Sequence, residues 1–214
     1  MGWHHRAVHT TVVDHPLARQ ALTVLRDIDT DRTAFRHAMD DLAFLLVYEA
    51  TRNLTTIEVS VTTPLAVTTG TRVAQPPMAV PVLRAGLGLL PGVLRLLPDA
   101  PTGFIGVARN EETLVPEPYM NSVPADLGGR DVLVLDPMLA TGGSLTYACT
   151  LLHERNPGRL VAVCVIAAPE GVARVEASGL VDELVVGVID ERLDDTAYIV
   201  PGLGDAGDRL FGTA

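Results

Sequence analysis

The chain has 214 residues, 48% of them apolar but only 4% aromatic, and a formal net charge of −10. That is enough apolar material for one large core of Leu, Val and Ala, while the acidic balance opposes a nucleic-acid partner, which needs a basic face. No apolar run approaches the ~20 residues of a membrane span, and the absence of any lysine leaves arginine, backbone N–H groups and hydroxyls to hold any anion.

The opening MGWHHRAVHT lacks the apolar centre of a signal peptide, and its adjacent His4 and His5 read as a solvated terminus. The first fifty residues read as helices. DHPLARQALTVLRD offers Asp14 as a cap, Pro16 in the first turn, and Leu17, Leu22 and Leu25 at helical spacing. DTDRTAFRHAMDDLAFLLVYEATRNL then places Phe35, Met39, Leu42, Leu45 and Leu46 on one face. TTIEVSVTTPLAVTTGTRV is rich in Thr and Val with Pro and Gly inside it, which predicts a short hairpin or arm.

From residue 79 the pattern changes. AVPVL, TGFIGVA, DVLVL, LVAVCVIAA and VDELVVGVI read as strands, with GLLPGVLRLL, GSLTYACTLLHER and PEGVARVEAS as helices between them. Strands without alternation, separated by helices, predict a parallel sheet covered on both faces. Ligands of such sheets sit beyond the carboxyl ends of the strands, where Asp136 and Arg84 fall. Cys149 and Cys164 form no C-x-x-C and lie in apolar segments, so buried free thiols and a cytoplasmic location are expected. The six histidines lie away from the strand ends and are read as solvated or capping.

The junction LVLDPMLATGGSLTYA has the parts of a phosphate cradle. Gly142 and Gly143 let the backbone approach an anion, the N–H groups and dipole of the following helix attract it, and Thr141 and Ser144 add hydroxyl donors. Asp136 is acceptor-only: it would repel a phosphate but suits a sugar diol. A capped helix after a buried strand would look the same; taken together, the residue types fit a ribose 5-phosphate group. A P-loop is excluded by the missing lysine. GLGDAG, Gly202–Gly207, matches G-x-G-x-x-G, but too few residues follow it for a βαβ unit. It still signals close backbone approach. No G-x-S-x-G, H-E-x-x-H or cysteine cluster is present. The long polar segment NEETLVPEPYMNSVPADLGG after Arg109 reads as a lid.

DPMLATGGS resembles the phosphoribosyl-pyrophosphate (PRPP) loop of type I phosphoribosyltransferases, in the Asp-Pro-Met form of the uracil phosphoribosyltransferases. YEATRNL, PVLRAGLGLLPGV, ARNEETLVPEPY, AAPEGVARVE and HPLARQALTVLRD are similar to that family too, and YIVPGLGDAGDRLFGT resembles its uracil-binding segment specifically. The resemblance implies an α/β fold: a type I phosphoribosyltransferase-like parallel sheet flanked by helices, with N-terminal helices and a short β-arm or hood. It implies a single domain, 1–214, made of N-terminal helices and arm (1–75), parallel core (76–190) and uracil-binding segment (191–214). The implied reaction is uracil plus PRPP giving UMP and pyrophosphate, with Mg2+ carried on PRPP.

By the same resemblance, Asp136, Pro137, Met138, Leu139, Ala140, Thr141, Gly142, Gly143 and Ser144 hold the ribose and its 5′-phosphate. Arg84 and Arg109 hold the pyrophosphate. Ile199, Gly204, Asp205 and Ala206 contact uracil, and Asp205 also reaches PRPP; Arg84, Arg109 and Asp205 are the expected catalytic residues. A side chain placed at Gly204 is expected to intrude on the base. Arg209 stands where the family pattern leads one to expect lysine. A homo-oligomer and a GTP effector are expected, with no nucleic-acid or membrane partner. The alternatives are a PRPP- or UMP-sensing RNA-binding regulator on the same fold, which the net charge disfavours, and a phosphoribosyltransferase for another base.

Overall fold

A computed structural model of the chain describes residues 8–109 and 116–213. In chain order the elements are β1 (His9–Val12), α1 (Pro16–Arg26), α2 (Arg32–Ala50), β2 (Thr56–Thr62), β3 (Val67–Val73), β4 (Met78–Leu83), a 3-10 turn (Ala85–Gly88), α3 (Leu90–Leu96), β5 (Ile105–Arg109) and β6 (Pro116–Asn121). They continue with β7 (Val132–Leu135), β8 (Met138–Leu139), α4 (Gly143–His153), β9 (Leu160–Ala167), α5 (Pro169–Ser178), β10 (Glu183–Ile189), β11 (Arg192–Leu193), β12 (Ile199–Val200) and α6 (Ala206–Phe211).

The main sheet runs β1-β10-β9-β7-β4-β5-β6, with β8 pairing β9 beyond the end of β7. All its pairs are parallel except β5–β6, which is antiparallel. Its central strands are apolar at every position because both faces are covered. Along β9, Val161, Val163 and Val165 face the core under α1 and α2, while Leu160, Ala162 and Cys164 face the core that includes Leu145, Cys149 and Leu152 of α4.

The helices follow most of their expected stripes, with Leu22 and Leu25 of α1 buried and Leu45 of α2 partly so. Asp31 caps α2, its Oδ1 accepting from the Ala34 N–H at 2.8 Å, and Phe35, Met39, Leu42 and Leu46 of that helix are fully buried. β2 and β3 form the predicted hairpin, antiparallel from Thr56↔Val73 to Thr62↔Val67. Both cysteines are free and buried.

Four expectations are corrected. The first fifty residues are not all helical: His9–Val12 pairs in parallel with β10 at the sheet edge, so His9 opens a strand. A four-residue edge strand is too short to show a period. Secondly, α1 is capped by His15, whose Nδ1 accepts from the Leu17 N–H at 3.2 Å, and not by Asp14. Asp14 instead pairs with Arg19 at 3.0 Å. Thirdly, part of the expected lid is sheet: Pro116–Asn121 forms β6 against β5. Two prolines disguised it, and an edge strand tolerates them because one side needs no N–H donor. Residues 110–115 of that expected lid lie outside the described residues. Lastly, Leu17, expected on the buried stripe of α1, is 56% exposed.

Candidate active site

Two adjoining cavities open at the carboxyl ends of β4 and β7. The first, of about 200 Å3, is walled by Arg84 and Ala85 on one side and by Asp136 and Met138–Leu145 on the other. The second, of about 300 Å3, lies between that loop and the C-terminal segment, touching Tyr198, Ile199 and Gly204–Gly207. Ala85, Met138, Ala140 and Thr141 line both, so the two spaces share a wall. Larger hollows of about 570 and 620 Å3 lie elsewhere, one between α1, α2 and α3 and one beside the base of the hairpin. Neither sits at the carboxyl end of a sheet strand, so neither is where an α/β sheet positions a ligand.

The loop's shape follows from its glycines. Gly142 has φ +74° and precedes the first turn of α4, with no side chain capping that turn. The N–H groups there are therefore open to an anion, and the helix dipole adds to their pull. A methyl at Gly142 would also lie 3.1 Å from the Gly171 carbonyl oxygen and 3.3 Å from Arg174 of α5. Glycine at 142 thus serves both a left-handed backbone and a close contact with α5. The Gly143 N–H lies 3.4 Å from Thr141 Oγ1.

Asp136 ends β7 and is 9% exposed. Its Oδ1 accepts from the Met138 N–H at a long 3.4 Å. Burial pushes its carboxyl up to about 7, since removal from water penalises the charged form more than one backbone N–H compensates. The buried thiols of Cys149 and Cys164 feel the same apolar surroundings and the Asp136 charge; Cys149 is pushed up to about 12 and Cys164 in the same direction. Both are inert as nucleophiles.

Across the cavity, Arg84 follows β4 after a cis Leu83–Arg84 peptide. Its half-exposed guanidinium reaches Asp208 of α6 at 3.3 Å. Gly86, one turn on, packs so closely that a methyl there would stand 2.3 Å from the Leu135 carbonyl oxygen. The Arg84 turn and the Asp136 loop are therefore held against each other through β7. Arg109 closes β5; its side chain lies outside the described part of the chain.

The C-terminal segment approaches from the other side. β12 carries Ile199, which is 5% exposed and lines the second cavity. Asp205 caps α6, its Oδ1 accepting from the Asp208 N–H at 2.8 Å. Helix α6 itself was not expected from the sequence, although Asp205 followed by a small-residue turn is a capping signal. Gly204 lines the cavity with its backbone, φ +78°. A methyl added there would stand 3.7 Å from Arg209 Cδ, an ordinary contact, with no other neighbour within 4 Å. At this positive φ any side chain would also strain the backbone. Sequence reasoning also missed Ala85, which lines both cavities, and Tyr198, beside Ile199 in the second. Ala85 follows Arg84 directly, and that was the available clue.

Chemically the first cavity offers one carboxylate, uncapped helix amides and an arginine, which suits a phosphorylated sugar. The second offers a glycine-rich backbone and an apolar wall, which suits a flat neutral ring. A family model described as uracil phosphoribosyltransferase matches residues 12–213. A uracil phosphoribosyltransferase of Corynebacterium diphtheriae is 52% identical over 201 residues, 94% of this chain and 95% of that protein. One from Streptomyces griseus is 53% identical over 206 residues, covering 95% and 98%. Among solved structures, the AQ2163 protein from Aquifex aeolicus superposes with a TM-score of 0.90 at 40% identity, covering 96% of this chain and 99% of that one. A hypoxanthine-guanine phosphoribosyltransferase from Bacillus anthracis shares the fold at TM-score 0.51 and 15% identity, covering 74% and 80%.

Proposed function

The chain belongs to the uracil phosphoribosyltransferase family, and from that premise we propose how its two cavities divide the work. The protein transfers the 5-phosphoribosyl group of PRPP to uracil, giving UMP and pyrophosphate. The observation that carries the division is that the sugar-phosphate cavity adjoins the glycine-lined one, the two sharing Ala85, Met138, Ala140 and Thr141 as lining.

In this reading Asp136 accepts hydrogen bonds from the ribose hydroxyls, while the amides and hydroxyls of residues 140–144 hold the 5′-phosphate. Arg84 and Arg109 hold the pyrophosphate. Uracil lies against Ile199 and the backbone of Gly204, Asp205 and Ala206. As the anomeric C–O bond to pyrophosphate breaks, the C–N1 bond to uracil forms and N1 gives up its proton. The sugar passes through oxocarbenium character, and the leaving pyrophosphate gains charge where the arginines stand. No protein nucleophile is required. Uracil's N3–H and O4 edge needs an acceptor beside a donor, which fixed backbone groups supply. Cytosine inverts that pattern, and a buried site can reject such a mismatch by about 10⁴-fold.

Among the described residues no three His, Cys, Asp or Glu side chains gather as a metal site. The donor set fits Mg2+ borne by pyrophosphate oxygens and met by one or two carboxylates, Asp136 and Asp205 being those at the cavities. Bound there it would neutralise charge on the leaving pyrophosphate. No helix among the described residues is long and apolar enough to cross a membrane, in keeping with a cytoplasmic enzyme.

The test is to incubate the protein with Mg2+, PRPP and labelled uracil and to follow UMP, with cytosine, orotate and hypoxanthine as parallel substrates and GTP present or absent. UMP formed from uracil alone among these bases supports the reading. Turnover of another base in preference to uracil overturns the assignment of the second cavity.

A further inference from the structure

The base site just proposed is made of backbone, and backbone has no rotamer of its own to place it. Its position depends on what grips the turn between Ile199 and Gly204. That turn, Pro201–Gly202–Leu203, folds back so tightly that a methyl on Gly202 would stand 2.1 Å from the Ile199 carbonyl oxygen. Three charged side chains hold it from the side away from the cavities.

Asp190 follows the carboxyl end of β10 and is nearly buried, with 3% of its side chain exposed. Its Oδ2 accepts from the Gly202 N–H at 2.9 Å. Arg26, in the last turn of α1, donates to both oxygens of Asp190, at 2.5 and 3.0 Å, and to the Gly202 carbonyl oxygen at 2.9 Å. Both polar groups of Gly202 are thus bound by one bidentate ion pair. Arg209 of α6 donates to the next carbonyl, that of Leu203, at 2.9 Å. It also donates to the carbonyl oxygens of Leu25 and Asp27 where α1 ends, and its guanidinium stacks over Phe35, 4.3 Å from the ring centroid. Arg209, at the position where the resemblance leads one to expect lysine, therefore falls in this clamp. A planar five-donor fork reaches three carbonyls and an aromatic face together, which an ammonium does less well.

None of the three side chains lines either cavity, and the PRPP loop makes no described hydrogen bond to them. We propose that Arg26, Asp190 and Arg209 are positioning residues for the base site: by fixing Gly202 and Leu203 they set the placement of the Ile199 and Gly204 backbone that reads uracil. The inference rests on the function proposed above. A clamp on one substrate's backbone has a specific kinetic signature. Loosening it misplaces donors and acceptors by fractions of an ångström, which weakens the uracil contacts and leaves the PRPP contacts in place.

The experiment is a pair of titrations, uracil and PRPP, on the full-length wild type and on Asp190→Asn, Arg26→Met, Arg209→Met and Arg209→Lys, well below each variant's melting temperature. Asp190→Asn keeps the size and one acceptor, so it guards against simple unfolding. Asp190→Asn and Arg26→Met are expected to raise the KM for uracil tenfold or more while the KM for PRPP stays within twofold. An Arg26→Met, Asp190→Asn double variant, titrated alongside, should cost no more than the costlier single, because both substitutions remove one shared grip. Arg209→Lys should recover part of what Arg209→Met loses. A lowered melting temperature with both KM values unchanged, or both rising in proportion, overturns the positioning role. A wild type that makes no UMP from uracil overturns the underlying function instead, so the two failures are distinguishable.

Discussion

Asp136 carries the sharpest residue-scale prediction. Its carboxyl is pushed up from an ordinary 3.8 to about 7 by burial. Between about pH 4 and 7 the folded state holds this proton and the unfolded chain has released it. Stability therefore falls as pH rises through that window and levels above it. Activity moves the other way, because the ionised carboxylate is the better acceptor for two ribose hydroxyls. The kcat/KM for PRPP should rise through pH 7 and then flatten, since that parameter reports the free enzyme. Asp136→Asn should abolish both slopes and lower kcat/KM for PRPP by about 1.5–3 kcal/mol, roughly 10- to 150-fold, with uracil binding spared. A pH–rate series and thermal melts on both proteins check this; an Asn variant with the wild-type pH profile removes Asp136 from the ribose.

At the scale of elements, α5 supports the PRPP loop from behind. A methyl on Gly171 would stand 2.4 Å from the Ala140 carbonyl oxygen and 2.7 Å from that of Leu139. Those oxygens are backbone and cannot swing aside. Gly171→Ala should therefore push the loop off α5 and raise the KM for PRPP several-fold, and the KM for uracil less. It should also cost about 1–3 kcal/mol of stability, as overpacking of a tight contact does. Steady-state kinetics and denaturant unfolding measure the two. Unchanged PRPP kinetics would mean that the loop's shape does not depend on α5. The α5 contact could not be foreseen from PEGVARVEAS, which announces a helix and its proline start but not which glycine faces which carbonyl.

For the whole molecule the prominent feature is the β2–β3 hairpin. It is fully paired internally, yet Leu65 at its tip is 97% exposed and Val67 68% exposed. Exposed apolar residues of this kind are what a covering partner would bury, and the expected homo-oligomer would supply one in a second copy of the chain. Replacing residues 57–72 by a short Gly-Asn turn should lower the mass seen by light scattering and leave the melting of the remaining domain cooperative. An unchanged mass would show that the arm does not mediate assembly.

The sequence by itself determined the α/β class and the doubly covered sheet, and it marked the Asp136 loop as a candidate phosphate cradle. Those signals are local: continuous apolar runs, a carboxylate and glycines at a strand-to-helix junction, and a family pattern along nearly the whole chain. It also announced that GLGDAG comes close to something, without saying to what. Only the tertiary structure decided that β1 and β6 complete the sheet edges, because short edge strands have no period and rely on a partner's N–H and C=O groups. It alone brought Asp136, Arg84 and Asp205 around adjoining cavities. The clamp on Gly202 is the clearest case. Arg26, Asp190 and Arg209 lie apart in sequence, and each looks like a solvated charge until the fold gathers them around the Gly202–Leu203 turn. Long-range pairing of that kind has no spacing that a sequence can display, since the sheet and the helix packing set the distance.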